Sequence, residues 1–139
     1  MTTPIITILK DFPEIGVPNN PIVLYNGGQL LVCYEISLTD NKFAVIEFEG
    51  MIEYKVTPIN DEGIGKHKYA KFGLNWYSIH EITNIEEIDY WKSIKPKYWV
   101  FTFQDRTVEV LGTKINIVNN DCDVVKLKSI VSDFTNKYL

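Results

Sequence analysis

FAVIEFEGMIEYKVT, residues 43–57, is the stretch on which the fold turns. Ala44, Ile46, Phe48, Ile52, Tyr54 and Val56 alternate with Glu47, Glu49, Glu53, Lys55 and Thr57. A period of two belongs to a strand with one face in a core and the other in water. Gly50 falls on the apolar side and predicts a bend or bulge. Glu47, Glu49 and Glu53 are then expected to form an acidic row on the wet face. Such a row is usually solvated, but it also suits a basic partner.

Working back toward the N-terminus, Asp40-Asn41-Lys42 reads as a hairpin connection, and 29–39 reads as a long strand. Leu30, Val32, Tyr34, Ile36 and Leu38 share one face of it; Leu31 and Cys33 make the other face apolar at its start. Residues 1–28 read as an irregular arm with short extended pieces at 5–9 and 22–25. Four of the chain's six prolines (Pro4, Pro13, Pro18 and Pro21) lie there, and proline lacks the N–H of a central strand.

Working forward, 58–73 reads as a long polar loop and 74–83 as an extended segment. Asn60 and Asp61 suit side-chain-to-backbone turns, with Gly63 and Gly65 as sources of positive φ. The spacing predicts a short helix over 84–95, with Asn84 as N-cap, Glu87 at the capping-box position and Pro96 as the stop. Trp99, Phe101 and Phe103 share a face of the next strand, and Asp105-Arg106 closes a hairpin. Within 107–118 the apolar phase shifts from even to odd positions, which calls for a bulge or turn at Gly112. Val124, Leu127, Val131, Phe134 and Tyr138 form one stripe of a C-terminal helix following Asn119-Asn120-Asp121, with Asp121 and Asp123 near its positive end.

These elements predict an α+β domain spanning 1–139: a curved, mostly antiparallel sheet of about five to seven strands, with one short helix and the C-terminal helix packed on it. The chain has 139 residues and a formal net charge of −4. That balance argues against duplex nucleic acid and anionic membranes as partners. Basic and aromatic residues at 66–71, with Trp76, Trp91 and Trp99, suit single-stranded nucleic acid in principle, but lysines on surfaces and aromatics in cores are the commoner explanation. No apolar run is long enough to span a bilayer and no leader pattern opens the chain, so a cytoplasmic location is expected. Cys33 and Cys122 are expected as reduced thiols, with a single disulfide the alternative.

Polar chemistry concentrates at Asp61, Glu62, His67, His80 and Glu81, flanked by Trp76 and Tyr77. Carboxylates and imidazoles are metal-ligand types, but no spacing here matches a metal motif, and neither a metal nor another cofactor is expected. Ser78 and His80 share a strand face without a third catalytic partner, and Cys33 sits inside a strand.

The series Asn60-Asp61-Glu62-Gly63, His67, Gly73-Leu74, Tyr77, Glu81 and Phe101 through Glu109 resembles a group of small bacterial proteins of unassigned function, over about 44–111. Members carry His where this chain has Gln104, and the resemblance implies no activity. In size and charge the chain also resembles bacterial immunity proteins. The expected function is a non-enzymatic protein-binding module of the kind that neutralises a toxin. Its interface is expected at Glu47, Glu49 and Glu53 together with Asp61, Glu62, His67, Trp76, Tyr77, His80 and Glu81. The alternatives are an enzyme with a polar site in the 60–81 loop, and a small-ligand binder.

Overall fold

The computed structural model describes residues 3–16, 20–36, 41–60 and 62–137. Asp61, Asp40, Tyr138 and the 37–39 end of the expected first strand lie outside the described residues.

The α+β reading holds, and every pairing between named strands is antiparallel. The strands divide, however, over two sheets where one was expected. In chain order they are β1 Ile5–Ile8, β2 Ile22–Tyr25, β3 Leu30–Glu35, β4 Phe43–Glu49, β5 Glu53–Thr57, β6 Ile79–Thr83, β7 Lys97–Thr102, β8 Thr107–Gly112 and β9 Lys114–Cys122. One sheet runs β1-β6-β7-β8-β5 and the other β2-β3-β4-β9.

The sheets pack face to face. Leu30, Val32, Tyr34, Ile46 and Phe48 of the smaller sheet meet Ile79, Trp99, Phe101, Val108 and Val110 of the larger one. Phe48 lies 5.3 Å from Trp99 and 5.7 Å from Phe101, centroid to centroid, in the tilted and edge-on geometries that aromatic quadrupoles prefer.

Residues 43–57 are two strands, not one. Between β4 and β5 the chain turns a corner at Gly50 and leaves the smaller sheet for the larger. Between β8 and β9 it makes the reverse passage at Thr113. The two passages touch: Thr113 N–H donates to Glu49 O at 3.3 Å and Ile52 N–H to Leu111 O at 2.8 Å. Gly50 has φ of 60°, and a Cβ there would overlap the Thr113 hydroxyl. The phase change within 107–118 is thus a change of sheet.

The outer faces are covered too. Helix α2, Val124–Asn136, lays Leu127 and Phe134 over Leu31, Cys33 and Val45, which explains why β3 is apolar on both faces. Its N-cap is Asp123, whose carboxylate accepts from Lys126 N–H at 2.8 Å. Residues 119–121, expected before the helix as a lead-in, belong to β9. Helix α1 spans only Glu86–Tyr90, and its N-cap is Ile85. Asn84, the expected cap, sits at φ of 60°. Beyond Tyr90, i→i+3 hydrogen bonds tighten the chain into turns as far as Lys95, so the longer helix does not form. Only Ile79–Thr83 of the expected 74–83 segment is strand. Among the described residues, no helix is long and apolar enough to cross a membrane.

Candidate functional site

Register places His80 of β6 opposite Val100 of β7, Val100 opposite Glu109 of β8, and Glu109 opposite Lys55 of β5. This row crosses the outer face of the larger sheet. Residues 62–78 cover that face with two single 3₁₀ turns, Ile64–Lys66 and Ala70–Phe72. Tyr69, Phe72 and Leu74 of the cover pack on Ile82, Tyr98, Val100 and Leu111. Asn60 anchors the start of the cover, its side-chain oxygen accepting from Gly63 N–H at 2.7 Å. Gly63 has ordinary negative φ, so the turn rests on Asn60 and not on the glycine's freedom.

Beneath the cover lies a charge. Glu109 is 3% exposed. A bare carboxylate there would be prohibitive, so its oxygens must be satisfied. Tyr98 OH donates to Oε1 at 2.7 Å, His67 Nε2 lies 2.9 Å from the same oxygen, and Lys55 Nζ stands 3.7 Å from Oε2. Burial pushes the Glu109 carboxyl up, but the hydrogen bonds from His67 and Tyr98, with the Lys55 charge, outweigh it and hold the group below its ordinary range. Burial and the neighbouring carboxylate push the Tyr98 phenol well up, so it stays a donor.

The hydrogen bonds fix both histidine tautomers. His67 Nδ1 accepts from Tyr69 N–H at 3.0 Å, so its proton sits on Nε2 and points at Glu109. His80 is the mirror case. Its Nδ1–H donates to Val100 O at 2.9 Å, and Nε2 accepts from Asn75 N–H at 3.0 Å. His80 is fully buried, and that burial, aided by His67, holds its pKa below the ordinary value despite the Val100 bond. His80 therefore pins the Asn75 amide of the cover to the sheet, and His67, itself in the cover, is held to the sheet through Glu109.

A second polar group ties the cover to α1. Lys68 Nζ lies 2.7 Å from Glu86 Oε1 and 3.6 Å from Glu87 Oε2, and Tyr69 OH donates to both Glu87 oxygens at 2.5 and 2.7 Å. Glu87 thus serves a tyrosine and not the expected capping box. The Lys68 bond holds the exposed Glu86 carboxyl below its ordinary range.

Of the residues singled out by sequence, His67 of the cover and His80 of β6 are both buried between cover and sheet. Glu62 is exposed, and Glu81 is half-buried, its neighbour His80 lying on the opposite face of β6. Trp76 is 58% exposed, and Tyr77 packs against the core at φ of 49°. The acidic row does not exist as one surface. Glu47 is half-buried beside α2 and accepts from Gln29 Nε2 at 3.3 Å. Glu49 is engaged by Lys114 at 3.5 Å and Asn116 at 3.2 Å, while Glu53, past the Gly50 corner, sits beside α1. Among the described residues, no group of three or more His, Cys, Asp or Glu side chains is placed to hold a metal ion. Cys33 and Cys122 are buried free thiols.

Sequence reasoning passed over Glu109 and the α1 surface. The signal for Glu109 was a lone carboxylate inside Thr107-Val108-Glu109-Val110-Leu111, where every position is buried. Glu53, Glu86, Glu87, Tyr90, Trp91 and Leu111 line an open cavity of about 390 Å³. Tyr90 is 81% exposed and stands edge-on to Trp91 at 5.3 Å. Comparison with protein-family models, with curated proteins and with solved structures finds no match, so the chain is assigned to no family.

Proposed function

We propose that this protein is a non-enzymatic protein-binding module that docks a basic partner on the acidic–aromatic face beside α1, in the manner of an immunity protein covering a toxin. The observation that carries this reading is the exposed Tyr90–Trp91 pair set among Glu53, Glu86 and Glu87. Exposed aromatics are the residues most often found as interface anchors. Glu53, the one of these carboxylates that Lys68 does not engage, suits lysine and arginine by charge, and the rings suit the same cations through their faces. The net charge of −4 speeds encounter with a basic surface. The two free buried thiols fit a reducing, cytoplasmic setting.

The test is a lysate pull-down with the full chain as bait, eluted in rising salt and read by mass spectrometry. One near-stoichiometric, salt-eluted protein that Tyr90→Ala bait fails to retain supports the reading. A bait with no partner, or equal capture by the variant, refutes it.

A second reading, small-ligand binding, draws on a cavity of about 520 Å³ between the chain after β1 and the start of β6, lined by Ile8, Phe12, Ile15 and Tyr77 among others. Native mass spectrometry showing a retained small molecule supports it. The enzyme alternative is the poorer fit, because both histidines of the 60–81 loop have their ring nitrogens engaged.

A further inference from the structure

We infer that residues 62–78 form a cover whose Asn75 end is acid-released, unpinned from the larger sheet when His80 beneath it takes up a proton. The argument rests on which ring nitrogens accept hydrogen bonds. His67 Nδ1 and His80 Nε2 both face backbone N–H groups of the cover, those of Tyr69 and Asn75. A protonated imidazole has donors on both nitrogens and no acceptor. Protonation of His80 therefore sets N–H against N–H at the part-buried Asn75 pin. A part-buried donor left facing another donor is the kind of defect that a local opening relieves.

The surroundings rank the two pins. His67 faces Glu109 of β8 directly, with Tyr98 of β7 and Lys55 of β5 on the same carboxylate, and Tyr69 beside it in the cover. The His67 link to the sheet is its Nε2–H bond to Glu109, in which the ring donates and needs no acceptor nitrogen. His80 faces the Val100 carbonyl, the Asn75 amide and His67, with no carboxylate bonded to it. The His80 pin is consequently the one that a proton breaks, and the Asn75 end of the cover releases first. Opening also draws Lys68 and Tyr69 away from Glu86 and Glu87 of α1. The inference uses only the cover's own hydrogen bonds and holds whether or not the α1 face binds a protein.

Once exposed, the His80 ring titrates near 6.5, while in place it titrates lower. Protons then drive opening, and the opening constant rises between pH 7.5 and pH 5 by up to about thirtyfold from this one group. The experiment is nuclear magnetic resonance on the full wild-type chain. It reads the ring nitrogens of both histidines, and the hydrogen-exchange protection of the Tyr69 and Asn75 amides corrected for intrinsic rate, from pH 7.5 to 5. The expected result is opposite neutral tautomers at pH 7.5, Nε2–H for His67 and Nδ1–H for His80. Asn75 protection then falls on acidification, by up to about thirtyfold, before that of amides in β7. His80→Gln, which has no titrating ring, is expected to flatten the Asn75 response; if that variant does not fold, the wild-type series decides alone. Asn75 and Tyr69 protection unchanged down to pH 5, or protection lost only together with β7, overturns the inference.

Discussion

Replacing Glu109 with alanine removes the acceptor at the centre of the buried network. The Tyr98 hydroxyl at 2.7 Å and the His67 Nε2–H at 2.9 Å are then left without their carboxylate. Each orphaned buried donor costs about 1–3 kcal/mol, and relief from burying the carboxylate offsets part of the total. The net loss is expected to be about 3 kcal/mol, a large share of the stability of an ordinary domain. Urea denaturation followed by tryptophan fluorescence measures it. With a slope of roughly 2 kcal/mol per molar, the midpoint falls by about 1.5 M while the slope stays constant.

The pH dependence of the same loss has a definite sign. The folded Glu109 carboxyl lies below its ordinary value of 4.5, so its contribution is present above that pH and disappears as pH falls through the folded value. The wild type and the alanine variant therefore converge in stability at low pH. The His80 contribution also has a folded value below the ordinary one, of 6.5; it is present above 6.5 and is lost as pH falls below it. Acid destabilisation of the wild type is thus expected in two stages, and the variant lacks the second. A variant within about 0.5 kcal/mol of wild type at neutral pH, the spread of ordinary surface changes, refutes the view that the network holds the cover to the sheet.

Other parts of the fold carry their own predictions. Gly50→Ala puts a Cβ against Thr113 at positive φ, and calorimetry is expected to show a loss of about 2 kcal/mol; an unchanged melting temperature contradicts the corner geometry. Asp123→Ala removes the α2 cap and is expected to lose about 1 kcal/mol by urea denaturation, against no loss if another group caps the helix. Burial, with Cys122 adding to it, pushes the Cys33 thiol up to about 12, so a thiol reagent at pH 8 is expected to leave it unmodified in native protein; labelling as fast as in denaturant contradicts this.

Much of the secondary structure was readable because its causes are local. The alternation on both sides of Asp105-Arg106 became β7 and β8, and the apolar stripe after Asp123 became α2. What escaped was which sheet each strand joins. The glycine at 50 and the phase change after Val110 both announced an irregularity, but a bulge and a sheet-to-sheet corner leave the same mark in one chain. That ambiguity also produced the row of Glu47, Glu49 and Glu53, since an alternation counted through a corner no longer describes one face. His67 and His80 stood out by residue type. Their role did not, because it depends on backbone amides that no side-chain pattern encodes. Glu109 was legible in retrospect as the one charge in β8, with no second charge to mark a wet face.

The binding face beside α1 is the central functional claim, and the most direct measurement is hydrogen–deuterium exchange of the full chain with and without the partner captured from lysate. The account predicts slowed exchange in 86–91 and at the start of β5 near Glu53, with α2 and β9 unchanged. Slowed exchange confined to α2, β9 or the chain after β1, with α1 exchanging as in the free protein, contradicts it.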